Sequence, residues 1–341
     1  MECLDIVSHF YLGFVIIYAC FNIEAYTAAN IGLVLSLASR FSEELLEAME
    51  QGTKVEKSLV SLERCDAFRK LQSEKYEVEG VSEKDENLIN WPNLGKIKFE
   101  NYSMKYRPNC ALSLNDINIE INSGEKIGIV GRTGSGKSSL TLSLFRIVEA
   151  LNGKIEIDNL DISKIPLKKL RRNISIVPQE PFLLEGTIKT NIDPLNLYTN
   201  EEIMNVLEKL NLFEMLKNEN KIDKDINTKI KEYGNNMSFG CRQLLCFARA
   251  ILRKSKIIIL DEATSAVDQK TEEIVTKAID ELFKDSTVIT IAHRINTVKK
   301  CDKIAVMDQG KIVEFDSTDK LIKDKKSIFY SMYYKNMEKT E

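Results

Sequence analysis

Apolar and polar positions change their pattern several times along the chain, and each change predicts a different element. From Ile6 to Ile23 no residue carries a formal charge, and after Glu24 a second uncharged run covers Ala25 to Ser39. Eighteen residues at the α-helical rise make about 27 Å, close to a bilayer core. The first run therefore predicts a membrane helix, and the second a shorter span that tilts or borrows flanking residues. Two buried helices of a soluble domain are the alternative. Acidic Glu2 and Asp5 stand where a signal peptide needs a basic region. From Arg40 to about Lys70 the pattern stays helical but turns charged. Phe41, Leu45, Met49, Val55, Leu59, Leu62 and Phe68 form one stripe on a long helix, with Gly52 a candidate break.

Charge then takes over. Glu74, Lys75, Glu77, Glu79, Glu83, Lys84, Asp85 and Glu86 mark an exposed linker that Trp91-Pro92 closes. Beyond Gly95 the alternation predicts one α/β domain. Ile97 to Glu100, Ile117 to Ile121 and Lys154 to Asp158 alternate apolar and polar, as half-exposed antiparallel strands do. Ile174 to Val177, Ile257 to Leu260 and Thr287 to Ala292 are continuous apolar runs, as in strands buried on both faces. Thr199-Asn200-Glu201-Glu202 is a capping box opening an amphipathic helix. The organisation is thus 1–70 with membrane-type helices and an extension, 71–94 linker, and 95–341 α/β domain.

Composition narrows the classes. A net charge of -3 over 341 residues offers no general basic field for nucleic acid, which is not expected as a partner. Seven cysteines without a C-x-x-C pair argue for reduced thiols and against a zinc site.

One stretch carries specific chemistry. Ile127 to Val130 reads as a strand, Ser139 to Phe145 as a helix, and Gly131-Arg132-Thr133-Gly134-Ser135-Gly136-Lys137-Ser138 lies between them. That context turns G-x-x-x-x-G-K-[ST] into a phosphate loop. Its glycines let successive N–H groups aim at one anion at a helix N-terminus. Lys137 reaches the β- and γ-phosphates, and Ser138 completes the coordination of Mg²⁺. Downstream, the strand Ile257 to Leu260 ends in Asp261 and Glu262, at a strand tip where such sheets place ligands. Asp261 is expected to hold Mg²⁺ through water, and Glu262 to polarise the attacking water as general base. Asn236 to Gln243 reads only as a Ser/Gly turn feeding a helix.

With these residues together, the domain resembles the nucleotide-binding cassette of ABC transporters. Met237-Ser238-Phe239-Gly240-Cys241 is similar to the signature Leu-Ser-x-Gly-Gln. The resemblance implies a P-loop NTPase of ABC type: a mixed sheet core with an antiparallel β subdomain and a helical subdomain, preceded by transmembrane helices. It implies ATP and Mg²⁺ as ligands. It assigns Tyr106 to stack on adenine, Gly131, Thr133, Gly134, Ser135, Gly136, Lys137, Ser138 and Ser139 to the nucleotide, and Gln179 to Mg²⁺ and the attacking water. It assigns Ser265 to Asp268 to the D-loop, His293 to sensing the γ-phosphate, and Ser238 and Gly240 to a nucleotide held by a partner. Tyr106-Arg107-Pro108, Glu125 to Gly134, Asn191 to Pro194 and Gln243 to Cys246 resemble, more closely, the C-terminal cassette of the multidrug-resistance-associated (C) subfamily. Ala29 to Phe68 is similar to the last transmembrane helix of that subfamily and its cytoplasmic extension.

The implied function is the ATPase motor of an exporter in a membrane, the plasma membrane by family default, with the cassette on the cytosolic side. A channel or channel regulator of the same subfamily, and a soluble ABC ATPase, are the alternatives. Implied partners are a second cassette paired head to tail, from an N-terminal half outside this chain, the transmembrane domains and membrane lipid. The chain reads as a fragment or a truncated gene. Two departures stand out. Met237 for Leu conserves volume, whereas Cys241 for Gln loses an amide donor and acceptor. The expectation is that Cys241 serves the weaker of two sites, so that restoring Gln changes turnover little.

Overall fold

The computed structural model describes residues 2–22, 27–71, 73–74, 88–220, 225–263, 269–292 and 295–337. The chain divides into two units, Met1–Glu74 and Lys75–Glu341. In the first, α1 (Glu2–Phe21) and α2 (Ala28–Arg69) pack on each other, with the rings of Tyr11 and Phe41 5.8 Å apart. Thr27 caps α2, its hydroxyl accepting from the Asn30 N–H. Gly52 does not break α2, which runs unbroken for 42 residues, about 63 Å. The apolar stripe from Phe41 to Phe68 stays exposed.

Among the described residues, no helix is long and apolar enough to cross a membrane. The spans expected over 6–23 and 25–39 stay expectations, and residues 23–26, where the two runs meet, lie outside the described residues. In α2 an apolar start joins a charged extension from Arg40 onward.

The second unit begins its described part at Leu88. Trp91 is buried, and its indole Nε1–H donates to the Ile157 carbonyl at 3.0 Å. The Asp158 carboxylate accepts from four consecutive backbone N–H groups, those of Asn93, Leu94, Gly95 and Lys96, at 2.8–3.2 Å. A single side chain thus fixes the entry into the domain. Next come β1 (Ile97–Met104), β2 (Leu114–Ile121), β3 (Lys126–Gly131), α3 (Lys137–Leu144), β4 (Asn152–Ile157) and β5 (Leu160–Asp161). The alternating runs form the expected antiparallel sheet, in the order β2-β1-β4-β5. Apolar positions of β1, β2 and β4 face the core, while Lys98, Glu100, Lys154 and Glu156 form an ion-pair ladder on the outer face.

After α4 (Leu167–Asn173) and β6 (Ile174–Val177) the chain enters a helical region. It contains β7 (Gly186–Thr187), α5 (Ile188–Ile192), α6 (Asn200–Lys209), α7 (Leu212–Asn220), β8 (Lys229–Ile230) and α8 (Phe239–Arg253). The capping box forms as expected: the Thr199 hydroxyl accepts from the Glu202 N–H, and Glu202 returns to the Thr199 N–H. The helix ends at Lys209, and Asn211, with φ 51°, separates α6 from α7, which starts at Leu212.

The chain then returns through β9 (Ile257–Asp261), α9 (Gln269–Leu282), β10 (Thr287–Ile291), α10 (Ile295–Val298), β11 (Lys303–Asp308), β12 (Lys311–Ser317), α11 (Thr318–Lys323) and α12 (Ile328–Met337). The second sheet has the order β12-β11-β3-β10-β9-β6, with every neighbour parallel except the β11–β12 hairpin. The three continuous apolar runs are the parallel strands β6, β9 and β10, whose residues are buried except for exposed Ile176 and half-buried Asp261 and Thr290. This architecture is the mixed sheet with antiparallel and helical subdomains that the family resemblance implied.

Candidate nucleotide-binding site

Register brings the site together. In the parallel sheet Ile129 of β3 pairs with Ile291 of β10, and Ile291 pairs with Asp261 of β9. Three neighbouring strands therefore end side by side, and the chain leaves each tip carrying functional groups. The phosphate loop leaves β3, the pair Asp261-Glu262 closes β9, and His293 follows β10.

Gly136 is the N-cap of α3 with φ 105°, and a Cβ there would stand 2.8 Å from the Ser113 carbonyl. An L side chain fits neither the angle nor the space. Lys137 is only 6% exposed, and its ammonium donates to the carbonyls of Gly131 at 2.8 Å and Arg132 at 3.1 Å. Burial pushes its pKa down, while Glu262 and Asp261 push it back up. Ser135 is buried with its hydroxyl unpartnered. An ammonium bonded to neutral carbonyls, an orphaned hydroxyl and a glycine-shaped cradle together fit an anionic phosphate.

An open cleft of about 760 Å³ is lined by Tyr106, Thr133, Gly134, Gly136, Lys137, Ser138, Ser139, Gln179 and Glu262. The Tyr106 hydroxyl and Ser139 Oγ are hydrogen-bonded at 2.9 Å, which fixes the ring against the start of α3. Gln179, after β6, donates through Nε2 to Glu262 Oε2 at 2.9 Å. Glu262 has φ 47°, a left-handed conformation unusual for a non-glycine residue, and its N–H donates to the Ile291 carbonyl at 2.9 Å. Backbone held in a sparsely populated region beside a cleft makes Glu262 a candidate functional residue.

No group of three or more His, Cys, Asp or Glu residues able to hold a metal occurs among the described residues. The set present, one hydroxyl, one amide and adjacent carboxylates, still fits Mg²⁺. That ion binds through one or two carboxylates and completes its shell with water and phosphate oxygens.

Other expected residues lie elsewhere. Ser238 and Gly240 line no part of this cleft. Ser238 caps α8, its hydroxyl accepting from the Cys241 N–H at 3.2 Å. Cys241 is fully buried in the core of the helical region, so its side chain is a packing group rather than one presented at a surface. Asp268 and the rest of the expected D-loop, together with His293, lie outside the described residues. Conversely, Ser113, Gln309 and Gly310 line the cleft without having been singled out in the sequence. The signal for the last two is a Gln-Gly pair between two alternating runs, a two-residue hairpin.

Residues 114–265 match the family model described as ABC transporter. The chain is 48% identical over 307 residues to the metal resistance protein YCF1 of Saccharomyces cerevisiae, covering 90% of this chain and 20% of that protein. The chain belongs to the ABC transporter family. It is also 44% identical over 302 residues to the vacuolar heme ABC transmembrane exporter abc3 of Schizosaccharomyces pombe, covering 89% and 20%. To the ATP-binding cassette sub-family C member 2 of Rattus norvegicus it is 42% identical over 306 residues, covering 90% and 19%. The chain thus spans about a fifth of the length of these ABC transporters. The matched region begins at β2 and runs through the phosphate loop past Asp261 and Glu262 to residue 265.

Proposed function

We propose that this cassette binds and hydrolyses ATP as the motor of a membrane exporter. The observation that carries the proposal is the meeting of the Lys137 ammonium, the phosphate loop and the Gln179–Glu262 pair in one cleft. Lys137 exchanges its two carbonyl partners for phosphate oxygens. An anionic oxygen adds charge–charge attraction to the ammonium that a neutral carbonyl lacks, which favours the exchange. Tyr106 offers its ring face to the base. Glu262 accepts the proton of the attacking water, and Gln179, already bonded to that carboxylate, orients the same water. Ser138, Gln179 and, through water, Asp261 would hold Mg²⁺, which neutralises phosphate charge when bound. His293 is assigned the γ-phosphate and Asp268 the cassette interface, both on the family pattern.

Ser238 and Gly240 act on the nucleotide of a second cassette, paired head to tail. Their position outside the cleft supports this, as does the fivefold greater length of the relatives. ATP shared between two cassettes favours the closed pair, because the signature contacts exist only there. Hydrolysis removes them, and the population returns to the open pair. Met1–Glu74 is the end of a transmembrane domain. The exposed apolar faces of α1 and α2 support this, with lipid and neighbouring helices as their partners. The cargoes in the relatives' names, a metal resistance in one and heme in another, differ while the cassette stays similar, so the shared step is the motor. The plasma membrane is the family default, and the vacuolar name of one relative supports an internal membrane as the alternative.

Calorimetry of the purified chain with Mg²⁺ and ATP tests this reading. The expected result is binding with very slow turnover by the lone chain. Absence of binding, or rapid hydrolysis by a monomer, overturns it.

A further inference from the structure

The β11–β12 hairpin reverses in two residues and leans on the phosphate loop. Asp308 pairs with Lys311, and between them Gln309 has φ 45° and Gly310 φ 77°. Two consecutive left-handed residues make the mirror-image turn that ordinarily takes Asn-Gly or Asp-Gly. The Gly310 N–H donates to the Ser135 carbonyl in the phosphate loop at 2.9 Å, and the Asn115 N–H donates to the Gly310 carbonyl at 2.8 Å. The Ser113 carbonyl is wedged between two glycines: a Cβ would stand 2.8 Å from it on Gly310, and 2.8 Å from it on Gly136. The strand before the turn closes on the start of the same loop. Met307 pairs with Gly131, and a Cβ on Gly131 would overlap the Met307 carbonyl.

These contacts converge on one peptide unit. The Ser135–Gly136 bond is trans, and a trans peptide is planar, so its C=O and N–H point in opposite directions. With the Ser135 carbonyl held by Gly310, the Gly136 N–H is turned away from the hairpin. Ser135 is buried, whereas Gly136 lines the cleft and opens α3. The Gly136 N–H belongs to the orphan donors of a helix start, the groups that take an anion. Displacing the turn frees that peptide to rotate, and the donor loses its aim.

We propose that Gly310 is a positioning residue for phosphate binding: its N–H fixes the Ser135–Gly136 peptide so that the Gly136 N–H meets the anion. The assignment rests on the reading of the cleft as a nucleotide site. The test is calorimetric affinity of the 341-residue chain for inorganic tripolyphosphate and for ATP, each with Mg²⁺, below every melting transition. Gly310→Ala strains the turn and presses a Cβ on Ser113. Gly310→Asn tolerates the left-handed angle and keeps only the clash. Both are made in a Gln309→Asn background, which suits this turn and adds stability. Relative to Gln309→Asn alone, each is expected to weaken tripolyphosphate and ATP alike, about three- to tenfold, as for one hydrogen bond. Asp158→Ala is the control for stability. It removes the acceptor of four N–H groups at the entry to the domain, so it should melt lower yet bind both ligands as the wild type does. Unchanged affinities in both Gly310 variants overturn the assignment, whatever their melting temperatures. So does a loss confined to ATP, and so does an equal loss in Asp158→Ala, which would make the effect one of general stability. Failure of the wild-type chain to bind either ligand overturns the nucleotide reading itself, and this assignment with it.

Discussion

Two helices, α3 and α8, each begin after a turn rich in Ser and Gly, and their first turns are finished in opposite ways. At α3 the N-cap is Gly136, left-handed and without a side-chain cap, and Lys137, Ser138 and Ser139 turn toward an open cleft. At α8 the N-cap is Ser238 in an extended conformation, and its own hydroxyl takes the Cys241 N–H. One helix end is left unfinished for an outside anion, whereas the other completes itself from its own sequence. On the proposed function, the first end is the ligand site within this chain, while the second is built first for folding and meets a ligand only from another cassette.

The widest split between the two ends comes from Glu262, which belongs to the first. In an assembled pair of cassettes, Glu262→Gln should lower ATP turnover by about 10²–10⁴-fold, the range for a positioned general base. Nucleotide binding should persist, because Lys137 and the loop are untouched. Steady-state phosphate release together with ATP titration measures both. Loss of binding instead would make Glu262 structural. Next in size, Lys137→Ala should weaken ATP binding to the lone chain by roughly 10–10²-fold, as expected for losing a charge-assisted hydrogen bond in a partly desolvated site. An affinity within a factor of two of wild type would place the phosphates elsewhere.

At the α8 end the larger effect concerns stability. Cys241 is fully buried, so Cys241→Gln must fit a longer amide into an apolar core. The expected cost is roughly 1–3 kcal/mol, seen as a lower melting temperature, with ATP affinity of the lone chain unchanged. The sequence reading, which treated this exchange as the loss of an amide at a facing surface, expected little effect on turnover. The burial moves the expected effect to folding.

That shift shows where the sequence was legible. The phosphate loop, the strand tips and the two sheets follow from local patterns of period two and continuous apolar runs, and the register then places β3, β9 and β10 side by side. Burial of Cys241 was also readable, because Cys241, Leu244, Leu245, Ala248 and Leu252 recur at helical spacing on the buried face of α8. The signature resemblance drew attention to chemistry instead. Other features depend on contacts between residues far apart in the chain. Asp158 meets the N–H groups of Asn93 to Lys96, and Gly310 meets Ser135 and Asn115; neither residue has a periodicity that announces its partners.

Ser238 gives the smallest effect and the sharpest separation of folding from ligand binding. Ser238→Ala removes the cap of α8 and should cost about 1 kcal/mol, a fall of roughly 2–4 °C in melting temperature for a unit of this size. Because Ser238 lies outside the cleft, the lone chain should bind ATP as before, while turnover of the paired assembly falls. Loss of the cap could itself lower turnover by loosening α8, so alanine alone does not separate the two causes. Ser238→Asp does. Aspartate caps helices as well as serine, so the melting temperature should recover. It also places a negative charge where a partner's phosphate is expected, so turnover of the pair should stay low and fall below that of Ser238→Ala. Recovery of both stability and turnover in Ser238→Asp would show that α8 meets no phosphate, and that both helix ends differ only in how they fold.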